Sequence, residues 1–268
     1  MRKTHYLYIT VLFLLICCES YNFQPIAFVG RHGIRIPAEI GDGNTIIGDG
    51  EYKNRRLREF IFPITTTHIG NEAFKNNNLE TVSIPEGVIT IGFSAFESNK
   101  LKHITIPNSV TTLGGFCFYR NRLESVIISN NIDVIGESTF EQNKLAEVTI
   151  PDGVKIIGSH AFQFNKLKSV HFSSSITYID YYAFFSNELD KIILPDNIRI
   201  ISANAFKRNP IIEIHIGENV RFYEKDRNVA ADTFGNYSDS FYRDYIKYNK
   251  EAGVYMYDKE LDIWEKIY

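Results

Sequence analysis

The stretch AFESNKL (95–101) decides the fold, because the chain repeats it at a constant spacing. Related stretches stand 22 residues apart along the chain: AFKNNNL (73–79), CFYRNRL (117–123), TFEQNKL (139–145), AFQFNKL (161–167), AFFSNEL (183–189) and AFKRNPI (205–211). A catalytic motif occurs once in a chain, whereas a motif on a fixed period describes stacked copies of one structural unit. The repeat therefore predicts a solenoid.

Each unit, begun at its leucine, reads LxxVxIPxxVxxIGxxAFxxNx. The alternating apolar residues of the LxxVxI piece, as in ITI (104–106), predict a short strand with one buried face. The proline that follows in most units lacks an N–H for a sheet ladder and ends this strand. The glycine of the IG pair indicates a tight bend or a close approach of two backbones. Seven regular units thus predict a β-rich solenoid with 22-residue coils, one strand per coil and a parallel sheet on one face.

Two columns of the repeat are predicted to hold the coils together. The phenylalanine of the AF pair is unbroken, and stacking the coils makes it an internal spine of rings. The asparagine three residues later is unbroken as well. Its amide has an acceptor and two donors, so we interpret it as a structural ladder that ties one coil to the next, with a ligand-binding ladder as the alternative. The ladder consists of Asn77, Asn99, Asn121, Asn143, Asn165, Asn187 and Asn209. Cys117 replaces the alanine beside the phenylalanine and is interpreted as a buried, inert thiol.

The N-terminal segment is predicted to direct export. Arg2 and Lys3 precede an apolar run that is about half of the ~20 residues needed to span a membrane, which is typical of a signal peptide. Cys17 and Cys18 follow this run and resemble a bacterial lipobox, in which one cysteine is lipidated; Cys18 fits that pattern better. A secretory signal cut near Ser20 and a retained apolar anchor are the alternatives.

The repeat also divides the chain into segments. We expect a signal peptide of lipoprotein type over 1–18, an N-terminal cap with a divergent first coil over 22–56, seven regular repeats over 57–210, a divergent last coil over 211–234 and a C-terminal cap over 235–268. The C-terminal cap is expected to combine a small helix with a hairpin. Caps are needed because open sheet edges invite self-association.

The repeats, for example LKHITIPNSVTTLGGFCFYRNRL (101–123), resemble the BspA-like, or treponemal-type, class of leucine-rich repeats. That class is marked by an I-P step after the strand, an I-G pair and A-F before the next coil. The resemblance covers roughly residues 34–234 and implies a leucine-rich repeat solenoid. Because members are commonly secreted or displayed by bacteria, and several are adhesins, it also implies a bacterial surface protein that binds host matrix or other cells. The class often has cysteine where this chain has the asparagine column.

No catalytic or metal-binding constellation stands out in the sequence. His103, His171 and His215 occupy strand positions at least two coils apart, ~10 Å at strand spacing, which is too far to share one metal ion. The chain has no HExxH motif and no glycine-rich phosphate loop. We therefore expect no enzyme activity, no metal and no cofactor. The net charge of −3 does not favour nucleic acid as a partner, and contact with a membrane is expected only through a lipid anchor.

Three surfaces are candidates for ligand binding. The inner sheet face comprises the outward-pointing strand positions Ile61, Ser83, His103, Thr105, Ile127, Glu147, Thr149, His171, Lys191, Ile193 and His215. The basic stripe precedes the leucines and comprises Arg56, Lys100, Arg122, Lys144 and Lys166. The aromatic patch comprises Tyr178, Tyr181, Tyr182 and Phe185, joined from other coils by Phe93, Phe116, Tyr119 and Phe164.

Each surface has a binding interpretation and a plainer one. Solenoid sheet faces are the usual contact surface for protein ligands. The basic stripe fits a sulfated glycan or another polyanion, or else a solvated edge that aids solubility. The aromatic patch fits a protein contact, or else covers the outer shell of the coil. The sequence therefore predicts an exported, surface-anchored adhesin with a protein ligand and a polyanionic glycan as a further candidate. A structural or assembly protein of the cell envelope is the alternative.

Overall fold

The computed structural model describes residues 45–218, 220–223, 233, 241, 244–245, 247–248 and 250–268. The predicted signal peptide, with Cys17 and Cys18, and most of the predicted N-terminal cap lie outside these residues. In chain order the strands are β1 (Thr45–Ile47), β2 (Thr66–Ile69), β3 (Thr90–Ile91), β4 (His103–Thr105), β5 (Thr112–Leu113), β6 (Ser125–Ile127), β7 (Val134–Ile135), β8 (Glu147–Thr149), β9 (Ile156–Ile157), β10 (Ser169–His171), β11 (Tyr178–Ile179), β12 (Lys191–Ile193), β13 (Ile200–Ser202), β14 (Glu213–Ile216), β15 (Arg221–Tyr223), β16 (Gly253–Asp258) and β17 (Ile263–Lys266).

The repeat units form the coils of a parallel β-solenoid, as the sequence predicts. Strands from the LxxVxI pieces form a first ladder, in which β4 pairs with β6, β8 with β10 and β12 with β14, all in parallel. The register is one repeat, so that His103 lies opposite Ser125 and Glu147 lies opposite Ser169. Equivalent residues of successive coils are therefore neighbours, and each sequence column becomes a line along the molecule.

A second ladder runs along another face, so the prediction of one strand per coil was too low. Its strands come from the VxxIG pieces, in the orders β1-β2-β3-β5 and β7-β9-β11-β13-β15. Most of these strands have only two residues, which is too short for alternation to mark them in the sequence. They pair because stacking at a fixed register brings their backbone N–H and C=O groups to the same height in every coil.

The core is a spine of stacked rings between the two ladders. Phe74, Phe96, Phe118, Phe140, Phe162, Phe184 and Phe206 are all fully buried. Consecutive rings lie 5.1–5.7 Å apart between centroids and within 17° of parallel. Tyr52 extends this stack by contacting Phe74 at 5.2 Å. The coils are thus held at one spacing by apolar burial as well as by backbone pairing.

The glycine column is explained by close backbone approach. A Cβ on Gly114 would lie 2.4 Å from the backbone nitrogen of Phe93 in the preceding coil, a distance that real Cβ atoms do not tolerate. The tight bend is made instead by non-glycine residues two positions further on, such as Ser94 and Phe116, whose φ angles are 54° and 58°. Of the two roles predicted for this glycine, a tight bend or a close backbone approach, the structure supports the close approach.

The described C-terminal residues add two antiparallel strands to the parallel first ladder. Strand β16 pairs antiparallel with β14, and β17 pairs antiparallel with β16. Phe241, Tyr245, Tyr255 and Trp264 are buried against this end, and Phe241 contacts the Trp264 ring at 5.2 Å between centroids. In the part of the chain that the structure describes, no helix is long and apolar enough to cross a membrane.

Candidate binding surfaces

The inner sheet face points to solvent along the first ladder. In β4 the exposed His103 and Thr105 flank the buried Ile104, which is the alternation expected of a strand with one solvated face. The candidate residues Ile61, Ser83, His103, Thr105, Ile127, Glu147, Thr149, His171, Lys191 and Ile193 are exposed, and His215 is half-buried. All of these side chains are thus accessible along one side of the solenoid.

Three isoleucines make this face partly apolar. Ile61, Ile127 and Ile193 occupy the same position of the repeat, three coils apart, with 61%, 64% and 55% of their surface exposed. The intervening coils have Ser, Thr or His at this position of the repeat. Single exposed apolar residues are normal on protein surfaces. Three at one repeat position, each three coils from the next, form a regularly spaced set of apolar contact points.

The charged residues at one end of the inner face are paired with each other. The Glu213 carboxylate accepts a hydrogen bond from Lys191 Nζ at 2.7 Å and contacts His215 Nε2 at 2.5 Å. These bonds, first from Lys191 and then from His215, hold the pKa of Glu213 below its usual value. Nearer the middle, His103 Nδ1 lies 2.9 Å from Ser125 Oγ. These polar side chains of the face are therefore held by bonds within the protein.

The basic stripe lies three residues before the strands of the first ladder. Arg56, Arg122, Lys144 and Lys166 are exposed, and Lys100 is half-buried. Among the described residues, no carboxylate lies within 4.0 Å of any of these five cations. The stripe is therefore a line of positive charge without counter-ions of its own.

The aromatic patch is not an exposed cluster. Phe185 is buried, while Tyr178, Tyr181 and Tyr182 are half-buried. The Tyr178 hydroxyl lies 2.8 Å from Asp180 Oδ1, and the Tyr182 ring stacks on His160 at 5.1 Å. This arrangement fits the alternative in which the patch covers the outer shell of the coil. The exposed aromatic side chains in other coils are Phe93 and Phe164, at 49% and 41%.

The asparagine ladder is saturated with internal hydrogen bonds. Asn99 Oδ1 accepts from the backbone nitrogen of Leu79 at 3.0 Å, and its Nδ2 donates to the carbonyls of Phe74 and Phe96 at 2.9 and 3.1 Å. The same pattern recurs in the other coils from Asn77 to Asn209. These side chains are buried and link three backbone segments each, so the amide is engaged within the protein rather than offered to a ligand.

One polar cluster beside the basic stripe was missed by sequence reasoning. The Arg120 guanidinium lies over the Tyr119 ring at 5.0 Å and donates to Gln142 Oε1 at 3.0 Å. Gln142 in turn lies 3.3 Å from the Tyr119 hydroxyl. Arg120 and Gln142 both have left-handed backbone, with φ of 54° and 56°. Their shared column is the only sequence signal that would have brought them together.

The described residues contain no evident reaction centre. Cys117 is buried, and burial raises the pKa of its thiol, which disfavours the reactive thiolate. Within the described ranges, no three histidine, cysteine or acidic side chains are close enough together to hold a metal ion.

The repeat geometry and its residue columns match one protein family. A family model described as a BspA type leucine-rich repeat region matches residues 45–166 and 111–227, in six copies. The chain belongs to the BspA-type leucine-rich repeat family. This membership confirms the resemblance drawn from the I-P, I-G and A-F steps of the repeat. It also accounts for the two ladders and the ring spine as properties of a repeated unit.

Several solved structures are similar to this BspA-type chain. A leucine-rich repeat protein from Bacteroides ovatus is 19% identical, with 80% of this chain and 81% of that chain covered and a TM-score of 0.47. A leucine-rich cell surface protein from Faecalibacterium prausnitzii is 20% identical, with 90% and 60% covered and a TM-score of 0.42. The pneumococcal vaccine antigen PcpA is 14% identical, with 78% and 95% covered and a TM-score of 0.40. No curated protein matched the sequence.

Proposed function

We propose that this BspA-type chain is a non-catalytic bacterial surface protein that binds a protein ligand on its inner sheet face. The observation that carries the proposal is the column of exposed isoleucines Ile61, Ile127 and Ile193. Ile127 and Ile193 lie on strands β6 and β12 of the first ladder, and Ile61 lies at the equivalent position of an earlier coil. Leucine-rich repeat solenoids use such extended faces for protein contact. The ordered polar residues around the isoleucines add specificity.

The isoleucine column is suited to act as a set of anchors. Full burial of an isoleucine side chain contributes about 1.5–3 kcal/mol relative to an exposed one. These side chains keep more than half of their surface exposed, so each has most of that contribution still to gain. They are also β-branched residues, and Ile127 and Ile193 lie on paired strands, which limits the side-chain entropy lost on binding.

The partner that we propose is a protein of the host matrix or of another cell surface. The support is the family membership together with the N-terminal pattern of Arg2, Lys3 and an apolar run, which favours export. A lipid on Cys18 or Cys17 would hold the solenoid at the membrane surface. Under this proposal the chain works as an adhesin.

The test compares two triple variants of residues 21–268. The first carries Ile61→Thr, Ile127→Thr and Ile193→Thr, which keeps β-branching but removes apolar surface. The matched control makes the same kind of change on the second-ladder side, as Ile46→Thr, Ile89→Thr and Val134→Thr, whose side chains are 46%, 44% and 37% exposed.

Binding is measured by biolayer interferometry against purified matrix proteins and by flow cytometry against whole cells. We expect saturable binding by the native sequence, a loss of at least about tenfold in the inner-face variant, since each buried anchor contributes more than 1 kcal/mol, and little change in the control. An absence of saturable binding to every matrix protein and cell type would refute the adhesin role. Equal losses in the two variants would refute the assignment to the inner face.

A further inference from the structure

The last four cations of the basic stripe are held in register by backbone hydrogen bonds between successive coils. The backbone N–H of each donates to the carbonyl of the leucine one coil earlier, so that Lys100 bonds to Leu79 at 2.9 Å and Arg122 bonds to Leu101 at 3.0 Å. Lys144 and Lys166 make the same bond, at 2.9 and 3.0 Å. Four positive side chains therefore project from consecutive coils at a spacing of about 5 Å.

This arrangement opposes folding rather than aiding it. Like charges at strand spacing repel, and none of the four has a carboxylate within 4.0 Å among the described residues. A charged cluster elsewhere in the solenoid is neutralised: Glu72 bonds to Lys53 and Lys75, and Lys75 also bonds to Glu97 at 2.9 Å. The stripe differs from this cluster in having four cations in consecutive coils without an ion pair among the described residues.

The line of charge has mixed charges on one side and, on the other, the exposed Arg120 and one exposed aromatic side chain. Two positions after the stripe, the repeat has side chains of both charges. The exposed residues there are Lys102, Glu124 and Lys168. On the other side, Phe164 precedes Lys166 by two residues and exposes 41% of its surface. Both neighbours in the Phe164 column, Gln142 and Ser186, are polar.

We propose that the basic stripe binds a linear acidic glycan, a chain bearing sulfate or carboxylate groups, laid along Lys100, Arg122, Lys144 and Lys166. A single line of cations matches a single chain with anionic groups along its length. A membrane surface would place anionic headgroups over the carboxylates that border this line, such as Glu124. Single-stranded nucleic acid binds through successive stacked rings, whereas this column offers one ring, Phe164. One aromatic face suits the apolar face of one sugar ring.

This surface is separate from the inner sheet face, so the inference stands or falls independently of the proposed protein ligand. The probe is a size-defined heparin oligosaccharide, titrated into the full chain by isothermal calorimetry over about 50–200 mM salt. The stripe variant carries Lys100→Gln, Arg122→Gln, Lys144→Gln and Lys166→Gln. The control removes four exposed charges elsewhere, by Lys155→Gln, Arg199→Gln, Arg221→Gln and Lys259→Gln.

We expect saturable heparin binding whose affinity falls steeply with salt, because ion pairs along the stripe release counter-ions. The stripe variant should lose at least about tenfold in affinity and flatten the salt dependence, and the control should lose less than about threefold. Thermal melts check the fold, and the stripe variant should melt at the same temperature as the native chain or higher. Phe164→Ser should weaken binding without changing the salt dependence.

Three results would overturn the inference. The native chain could fail to bind heparin saturably at the lowest salt. The control could lose as much affinity as the stripe variant, in which case net charge alone governs binding. Oligothymidylate of matched charge could displace heparin at the same concentration, in which case the stripe recognises nucleic acid or any polyanion rather than a glycan.

Discussion

The side-chain oxygen of Asn143 accepts a hydrogen bond from the backbone nitrogen of Leu123, at 2.9 Å, in the preceding coil. The nitrogen of the same amide donates to the carbonyls of Phe118 and Phe140, at 3.0 and 3.1 Å. One buried side chain thus bonds to backbone groups two residues before strand β6 and at two consecutive bends. Because the relationship recurs along the chain, the asparagine column acts as a second set of ties beside the backbone ladders.

Asn143→Ala should destabilise the solenoid strongly. Removing the amide leaves the buried backbone nitrogen of Leu123 without its partner, at a cost of about 1–3 kcal/mol. The carbonyls of Phe118 and Phe140 each lose one of two donors, because Asn121 and Asn165 also donate to them. We expect the free energy of unfolding in urea to fall by about 2 kcal/mol or more. The control is Asn130→Ala, at an exposed position whose side chain holds no hydrogen bond across the described coils. Similar small losses in both variants would show that the ladder is dispensable.

Gly114→Ala should separate two coils locally. The added Cβ would lie 2.4 Å from the backbone nitrogen of Phe93 and 2.5 Å from the carbonyl carbon of Gly92. Neither atom can move without breaking the backbone ladder, so we expect a loss of stability of about 2 kcal/mol or more, from overpacking against rigid backbone. Gly87→Ala is the matched change, because its Cβ would have no neighbour closer than 3.4 Å. A melting temperature for Gly114→Ala as high as that of Gly87→Ala would contradict the close-approach explanation.

Ser94→Gly should stabilise the chain. Ser94 has left-handed backbone, with φ of 54°, and its buried hydroxyl has no hydrogen-bond partner among the described residues. Glycine relieves the backbone penalty and removes the unsatisfied oxygen, and we expect a gain of about 1 kcal/mol. Ser94→Ala keeps the Cβ and removes only the oxygen, so the two variants separate the contributions. A lower melting temperature for Ser94→Gly than for the native chain would show that the hydroxyl is needed for packing.

Acid should weaken the pairing at the end of the inner face. The pKa of Glu213 is held below its ordinary value of 4.5, so its ion pair contributes stability above about pH 4.5 and loses it as the pH falls through the folded pKa. The side chain remains about a quarter exposed, which limits the contribution to below about 1 kcal/mol. Glu213→Gln should therefore reduce the stability lost between about pH 6 and pH 3, as measured by urea unfolding at each pH. An equal loss of stability between about pH 6 and pH 3 in Glu213→Gln and in the native chain would contradict this role of the ion pair.

Cys117 should resist thiol reagents in the folded protein. It is fully buried beside Phe118, and burial raises its pKa, so that little thiolate forms near neutral pH. With Cys17→Ala and Cys18→Ala in place, labelling at pH 8 should follow global unfolding and be rapid only in denaturant. Fast labelling of the native protein would mean that this coil opens locally.

The columns of the repeat show how far the sequence predicts the fold. A 22-residue period, unbroken at Phe96 and Asn99 and their equivalents, can be satisfied only by stacking identical units. The parallel coils, the ring spine and the family follow from this period, because each column must meet itself in the next coil. The sequence also predicts that Ile61, Ile127 and Ile193 are exposed, since the alternation of apolar residues assigns each position to one face.

Other properties depended on distances between coils, which the sequence does not contain. The second ladder arises from pieces of two residues, too short to carry a periodic signal, that pair only once stacking sets their height. The role of Gly114 depends on the backbone of the preceding coil, which would lie 2.4 Å from a Cβ at this position. The burial of Phe185 depends on neighbouring residues in other coils. The sequence by itself determined that the chain is a stack of one repeated unit, because only equivalent columns can pack against each other. The tertiary structure decided which side chains that stack covers and which charges it leaves without partners, because burial and pairing depend on groups that are far apart in the chain.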